Sequence, residues 1–130
     1  LAREAVTILN DDAVILHTIY DVPQEKIVNY INASDCLLVT SLWEGSPNVV
    51  KEAMACNCPI VSTDVGDVKE VIGGTEGCYM VSYKPSDVSA AISKTLKFEK
   101  RTNGREQIKH LDEKLIANKL INLYQMVLSK

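Results

Sequence analysis

Residues 36–63 read CLLVTSLWEGSPNVVKEAMACNCPIVST, and this stretch decides the fold. Two short apolar runs, residues 37–39 and 60–61, lie on either side of a segment with helical character. Apolar runs without alternation are typical of parallel strands that helices cover on both faces. Because a helix joins the two runs, the stretch predicts a βαβ unit within a mostly parallel α/β sheet.

The rest of the chain continues this alternation of strand and helix patterns. Strands are expected to start near Val14, Cys36, Pro59 and Cys78, and helices are expected over residues 1–9, 24–32, 67–72 and 86–98. Apolar residues at mostly helical spacing predict two C-terminal helices within 105–130 that pack an apolar stripe on the fold. That stripe consists of Ile108, Leu111, Leu115, Leu120, Leu123 and Val127. One domain covering residues 1–130 follows.

Length, charge and hydropathy limit the function classes. The chain has 130 residues, 46% of them hydrophobic, which is enough to bury the core of a single domain. A net charge of −3 with scattered basic residues excludes the basic patch that nucleic-acid binding needs. No apolar stretch approaches the roughly 20 residues of a transmembrane helix, and no signal pattern opens the chain. We expect a cytoplasmic protein without a transmembrane segment.

Four cysteines, Cys36, Cys56, Cys58 and Cys78, fall in or beside predicted strands and a helix end. A thiol at such positions behaves as a small apolar side chain, so we interpret all four as reduced core residues. The close pair at 56 and 58 has one residue between its members, outside the usual spacing of structural zinc sites. Neither a disulfide framework nor a metal site is therefore expected.

Two glutamates, Glu44 and Glu52, flank a turn that opens the predicted helix. Eight positions correspond to roughly 12 Å along an unbroken helix, so the two carboxylates cannot form a tight pair. Carboxylates that hydrolyse glycosidic bonds lie about 5 to 9.5 Å apart, so the spacing suits a long ligand contacted at both ends. The alternative, that both are solvated surface charges, is equally compatible with the spacing alone.

Ser46 and Pro47 fit the N-cap and first position of that helix. The amides that follow have no helical partner and point out of the helix end. Together with the positive end of the helix dipole, they form a natural seat for a phosphate.

The pattern resembles a known family. Glu44-Gly-Ser-Pro-Asn-Val-Val-Lys-Glu52, followed by residues 53–56 and by Pro59-Ile-Val-Ser-Thr-Asp-Val-Gly-Asp67-x-x-Glu70, resembles the donor-binding half of a retaining GT-B glycosyltransferase of family 4. The resemblance extends through residues 77–81, 85–87 and 121–124, and upstream through 22–23 and 32–35. It implies a Rossmann-like, mostly parallel sheet with flanking helices, which is the C-terminal half of a GT-B fold.

The resemblance also implies parts that this sequence does not show. In the family, this half opens with a strand and a loop that carries an Arg and a Lys for the donor pyrophosphate. Here residues 1–5 resemble the helix that follows that loop. The first strand is therefore expected to be missing, and in the doubly wound order it would lie in the middle of the sheet. The acceptor-binding N-terminal half is likewise expected to be missing.

Residue roles follow from the resemblance. Glu52 would accept hydrogen bonds from the ribose hydroxyls, and Glu44 would face the donor sugar as the catalytic residue. The amides at the helix start would hold the diphosphate, although Pro47 removes one amide that relatives with Gly have. Ser46 can also cap its own helix by accepting from the Asn48 or Val49 amide, in competition with a ligand. The full donor-binding set is Tyr20, Val22, Gly45, Ser46, Asn48, Val49, Val50 and Glu52.

The implied activity is transfer of a sugar, with retained configuration, from a nucleotide-diphosphate sugar to a hydroxyl. The acceptor would be a sugar or a lipid-linked glycan bound by the missing N-terminal domain, as in polysaccharide biosynthesis. No cofactor or metal is expected, the isolated chain should be inactive, and the full-length protein could lie peripherally at a membrane. The alternative is a non-catalytic nucleotide-sugar binding module. A signalling receiver domain fits worse, because Asp11 and Asp12 precede a predicted strand instead of following one.

Overall fold

A computed structural model describes residues 1–129 of the chain. Three parallel strands form one sheet in the order β1-β2-β3, with β1 at Leu37–Val39, β2 at Ile60–Thr63 and β3 at Cys78–Val81. Leu38 lies opposite Val61, and Val61 lies opposite Tyr79. The predicted parallel α/β architecture is confirmed.

Helices connect and surround the strands. They are α1 Ala2–Leu9, α2 Gln24–Ala33, α3 Asn48–Ala55, α4 Val68–Ile72, α5 Pro85–Leu96, α6 Gly104–Gln107, a 3₁₀ helix at Lys109–Leu111 and α7 Glu113–Leu128. No helix among residues 1–129 is long and apolar enough to cross a membrane.

Two apolar clusters cover the two faces of the sheet. Neighbouring residues of β2 point to opposite faces, so Ile60 packs with α3 and α4 while Val61 packs with α5 and α1. Both side chains have 0% exposure, as their unalternating apolar run predicted. The central strand is thus the fixed element from which the neighbouring loops project.

Strand β1 is less buried than its apolar sequence predicted. Residues 37–39 were expected to be nearly inaccessible, but Leu37 and Leu38 are half-buried and only Val39 belongs to the core. The reason is position, because β1 pairs with β2 alone and forms an edge of the sheet in the described chain.

The strand predicted from Val14 is wrong. Residues 14–20 have no regular secondary structure, and Ile15 is 83% exposed. A strand requires a neighbour to accept and donate its backbone hydrogen bonds. Within residues 1–129 the free edge of β1 carries no further strand, so this segment has nothing to pair with.

The predicted packing of the C-terminal stripe is also wrong for α7. No residue of α7 is buried, and Leu120 and Leu123 are about half exposed. Only the start of the stripe contacts the fold, because Ile108 packs against the cluster that contains Met54. The spacing correctly indicated a helix with an apolar face, but not what that face contacts.

One arginine joins three distant backbone positions. The Arg101 guanidinium donates to the carbonyls of Ser34 at 2.8 Å and of Ile31 and Cys56 at 3.3 Å. These carbonyls lie at the C-terminal ends of α2 and α3, where few helical amides remain as donors, and that of Ile31 also accepts from the Ser34 N–H at 3.3 Å. A cation at a helix C-terminus is also favoured by the helix dipole.

Candidate functional site

The loops that follow β1 and β2 lie side by side. Parallel strands end at the same edge of a sheet, so residues 40–47 after β1 and 64–67 after β2 meet there. Glu44 and Ser46 are on the first loop, and Asp67 closes the second. Open α/β sheets bind their ligands at this edge, beyond the carboxyl ends of the strands.

The predicted cap of α3 is wrong. The helix begins at Asn48, Pro47 occupies the N-cap position, and no side chain caps the amides. Ser46 instead donates from Oγ to Oδ2 of Asp67 at 2.6 Å. Because its hydroxyl is directed to the neighbouring loop, Ser46 does not compete for the helix-start amides.

The start of α3 leaves two amides without a helical acceptor. The N–H of Val50 donates to the Pro47 carbonyl at 3.2 Å, and the Val50 side chain is fully buried. The N–H groups of Asn48 and Val49 precede it and have no carbonyl one turn back. Two amides at the positive end of the helix dipole can therefore receive an anion.

Lys51, a residue of α3, is engaged with the neighbouring loop. Its Nζ lies 3.0 Å from Oδ2 of Asp67 and also donates to the Ser46 hydroxyl. The hydrogen bond from Ser46, followed by the bond and charge of Lys51, lowers the pKa of Asp67 below its usual value. We call these three side chains the Ser46–Asp67–Lys51 cluster.

The second oxygen of Asp67 is in a different situation. Oδ1 is buried and has no hydrogen-bond partner among the described residues. The Asp67 charge is therefore balanced through Oδ2 alone, by one hydroxyl and one ammonium group.

Glu44 is exposed and is held within its own loop. Its Oε1 accepts a hydrogen bond from the Ser41 hydroxyl at 2.8 Å. The Ser41 carbonyl in turn accepts from Oγ1 of Thr63, the last residue of β2, also at 2.8 Å. The loop that carries the carboxylate is thereby fastened to the end of the central strand.

Backbone contact also brings the two loops together. Gly66 has φ +52, and a Cβ at this position would lie 2.2 Å from the carbonyl oxygen of Gly45. Only glycine permits this approach, because both the left-handed backbone and the contact exclude a side chain. Gly45 is therefore placed directly against the loop that ends in Asp67.

Glu52 lies on the other side of α3. It is half-buried, and Oε1 accepts a hydrogen bond from Nε2 of Gln24, the first residue of α2. Both line a cavity of about 220 Å³ between α2 and α3. The other lining residues are Ile27, Val28, Ala55 and Cys56.

The two predicted residues upstream lie in the irregular segment before α2. Tyr20 is 81% exposed, and Val22 is half-buried two residues before Gln24. The structure therefore joins the predicted residues into two groups. One group surrounds the start of α3, while Glu52 with Gln24 forms the other.

A larger cavity, of about 550 Å³, lies elsewhere. Residues 74–76 line it and precede β3, so it opens at the amino ends of the strands. Phe98, Gln107 and residues 100–103 complete its wall, and none of the predicted site residues belongs to it. Its position at the edge opposite to the free amides separates it from the candidate site.

Metal-binding groups do not mark either place. Within residues 1–129, no three or more His, Cys, Asp or Glu side chains form a group that could hold a metal ion. All four cysteines are free thiols.

Sequence reasoning missed three members of the site: Lys51, Asp67 and Gln24. Asp67 could have been found from its position, since it follows the second strand as Glu44 follows the first. The bond between Gln24 and Glu52 crosses 28 positions, and no local spacing indicates it.

Most of the chain resembles known proteins. The family described as "Glycosyl transferases group 1" matches residues 2–97. The chain is 32% identical over 78 residues to the "Putative teichuronic acid biosynthesis glycosyltransferase TuaC" of Bacillus subtilis, covering 60% of this chain and 19% of that protein.

A second relative covers more of the chain. It is the "N,N'-diacetylbacillosaminyl-diphospho-undecaprenol alpha-1,3-N-acetylgalactosaminyltransferase" of Campylobacter jejuni, 31% identical over 111 residues, with 81% of this chain and 30% of the relative covered. A sucrose-phosphate synthase structure from Thermosynechococcus elongatus superposes with a TM-score of 0.76 at 26% identity. The match covers 85% of this chain and 30% of the synthase chain, so the chain spans under a third of each of these proteins.

Proposed function

The chain belongs to the glycosyl transferases group 1 family, and from that premise we propose that it is the donor-binding part of a retaining glycosyltransferase. Its parallel sheet with flanking helices is the Rossmann-like fold of a GT-B half. The observation that carries the proposal is the start of α3, where two amides remain available at the ligand-binding edge of the sheet.

The diphosphate of a nucleotide-diphosphate sugar would bind at this helix start. Asn48 and Val49 offer backbone N–H groups, and an anion there gains from the helix dipole. Gly45 and Ser46 belong to the loop beside these amides, and the exposed position of Asn48 leaves room for a ligand. Val50 would contribute less, because its N–H already donates to Pro47.

The nucleoside would lie toward α2. Glu52 has an ionised carboxylate that only accepts, which suits the two hydroxyls of a ribose. The bond from Gln24 orients this carboxylate in the wall of the cavity between α2 and α3. Tyr20 and Val22 precede that wall and would flank the base.

The reaction would occur beside Glu44. Its carboxylate is held by Ser41 on the exposed loop, where it could face the sugar of the donor. Catalysis would then consist of stabilising the departing diphosphate with fixed dipoles while positive charge develops on the sugar. The anomeric carbon would lose its bond to the diphosphate oxygen and form a bond to the acceptor oxygen with retained configuration, while the acceptor hydroxyl would give its proton to the departing diphosphate.

The acceptor would bind to the part of the protein outside this chain. The Bacillus relative is named for teichuronic acid biosynthesis, and the Campylobacter relative is named for a diphospho-undecaprenol acceptor. These names support a sugar or lipid-linked glycan as acceptor and a role in polysaccharide biosynthesis. Free thiols fit a cytoplasmic location, which stays a prediction together with peripheral binding to a membrane.

We propose that residues 1–130 act as one donor-binding unit, with the helices from residue 105 onward appended to it. A non-catalytic nucleotide-sugar binding module is the second candidate. It is favoured by the pairing of Lys51 with Asp67, since the ammonium group of this α3 lysine is already engaged by a carboxylate. Sugar transfer by the full-length protein decides between the two.

The first experiment compares Glu52→Gln and Glu44→Gln in the full-length protein. Glu52→Gln should weaken donor binding by roughly 1 to 3 kcal/mol, because an amide replaces an acceptor where the ribose donates. Glu44→Gln should lower kcat more than affinity if its contact strengthens in the transition state. Donor titrations and initial rates measure both, and Glu113→Gln, on the exposed first turn of α7, is the control.

Equal losses of affinity with unchanged kcat would reject the catalytic assignment of Glu44. The 130-residue chain alone should bind UDP or GDP weakly and transfer no sugar, because the acceptor-binding half is not part of it. Sugar transfer by this chain would contradict the proposal that it is only the donor half.

A further inference from the structure

We propose that Lys51 and Asp67 are positioning residues for the diphosphate at the start of α3. Lys51 also neutralises the Asp67 carboxylate, which would otherwise repel the diphosphate. This inference rests on the proposed function, because it concerns the same diphosphate site. It assigns a role to two residues that the family resemblance did not.

The geometry of the cluster connects two elements. A helical side chain points toward the N-terminus of its helix, so Lys51 of α3 reaches back to Ser46 on the preceding loop. Asp67 belongs to the loop before α4, and its Oδ2 receives both Ser46 Oγ at 2.6 Å and Lys51 Nζ at 3.0 Å. The cluster therefore fixes the loop before α3 to the loop before α4.

The cluster lies close to the free amides. Ser46 is two residues before Asn48, so their Cα atoms are within about 7.6 Å of each other. The charged atoms of Lys51 and Asp67 meet at the Ser46 hydroxyl, about one Debye length (about 8 Å at physiological ionic strength) from the amides, so salt weakens but does not abolish their effect on an anion bound there. The lysine and the aspartate are partly shielded, with side-chain exposures of 25% and 32%.

The two residues carry opposite charges, so their substitutions should change anion binding by different amounts. Lys51→Met would leave the Asp67 carboxylate unpaired beside the seat, and a diphosphate would be repelled. Asp67→Ala would leave the lysine without a partner, and the net gain of positive charge would offset the looser loop. If the pair only fastened the loops, Asp67→Ala, which loses the bonds from both Ser46 and Lys51, would weaken binding at least as much as Lys51→Met.

The contact between Gly45 and Gly66 keeps the variants foldable. The two loops still meet through backbone atoms when the side-chain pair is lost. A partly exposed ion pair also contributes little to global stability. Both variants are therefore expected to fold.

The test titrates UDP and GDP into the full-length protein at low and high salt. Lys51→Met should weaken binding about tenfold at low salt, and Asp67→Ala should weaken it less than about threefold, since charges in partly shielded sites act more strongly than in bulk water. Lys51→Arg keeps the cation and should restore near wild-type affinity. Lys69→Met, which removes an exposed lysine of α4, is the matched control and should change nothing.

Hydrogen exchange provides a readout that needs no ligand. The amides of Val50, Val68 and Glu70, which donate to carbonyls of the two loops, should exchange faster in both Lys51→Met and Asp67→Ala than in the control, because each variant releases the loops. High salt should reduce the difference in affinity between the two variants, as screening predicts.

Equal affinity losses in the two variants would overturn the electrostatic role of Lys51. Unchanged exchange of the Val50, Val68 and Glu70 amides would overturn the positioning role. If wild-type protein binds neither UDP nor GDP, the proposed function fails, while the exchange experiment still decides whether the pair orders the loop.

Discussion

The two longest helices, α5 and α7, have similar sequence patterns and opposite environments. In α5 five of 12 residues are buried, and the helix packs on α1 and on the sheet. In α7 none of 16 residues is buried, although its apolar side chains also recur at helical spacing. The difference shows that periodicity indicates an apolar face, whereas only the surrounding elements determine whether that face is covered.

A matched pair of substitutions would measure this contrast directly. Ile92→Ala in α5 should lower the free energy of unfolding by about 2 to 5 kcal/mol, because Ile92 is 5% exposed and its truncation leaves a cavity. Leu123→Ala in α7 should change it by less than about 0.5 kcal/mol, because Leu123 is 56% exposed. Urea unfolding followed by circular dichroism measures both.

A loss of several kcal/mol in Leu123→Ala would break the comparison, since it would show that α7 is packed in solution. A small loss in Ile92→Ala would mean that α5 contributes little to the core.

Alkaline pH should weaken the α5 side of the fold. Cys36 packs against the cluster that contains Val88 and Ile92, and burial, aided by the nearby Cys58, raises its pKa from 9.0 to about 12. The thiol stays neutral in the folded chain while the unfolded chain ionises from about pH 9. The stability it contributes is therefore complete below pH 9 and falls as pH rises toward 12.

Urea midpoints at pH 8 and pH 10.5 would show this dependence. Cys36→Ala cannot ionise at this position and should lose less stability between the two values. Burial also raises the pKa of Cys78, to about 11, so some decline should remain in the variant. An identical decline in both proteins would show that Cys36 ionises as readily when folded.

The smallest expected effect concerns the start of α7. Oδ1 of Asp112 accepts hydrogen bonds from the amides of Lys114 at 2.9 Å and Leu115 at 3.3 Å. Asp112→Ala should cost α7 about 1 kcal/mol of helix stability, while Asp112→Asn keeps an acceptor. Hydrogen exchange in residues 113–118 should rise without a shift in the global unfolding midpoint. A shift of that midpoint would indicate that α7 unfolds together with the core.

The sequence alone predicts a strand correctly where its apolar pattern and its tertiary environment agree. Ile60 and Val61 form an apolar run that is buried on both faces, and the parallel sheet followed from it. The segment from Val14 has the same apolar character but has no neighbouring strand in the described chain. Strand formation depends on a partner strand that can lie far away in sequence. Composition alone therefore could not distinguish β2 from the irregular segment at residues 14–20.

The candidate site was predictable to a similar extent. Two carboxylates and a helix start were visible as local features, and the helix begins within two residues of the predicted position. The hydrogen bond of Ser46 to Asp67 spans 21 positions, and it replaced the local cap that the sequence favoured. Long-range partners of short polar side chains depend on how loops meet, which periodicity does not describe.

The three bonds of Arg101 have a consequence for the order of folding. They close intervals of 67, 70 and 45 residues with one guanidinium group. Loop-closure entropy grows only with the logarithm of interval length, but such contacts raise the mean sequence separation that slows folding. The carbonyls at the ends of α2 and α3 should therefore remain hydrated until the segment around residue 101 docks. On a ribosome, both helix ends would have to wait until Arg101 leaves the exit tunnel.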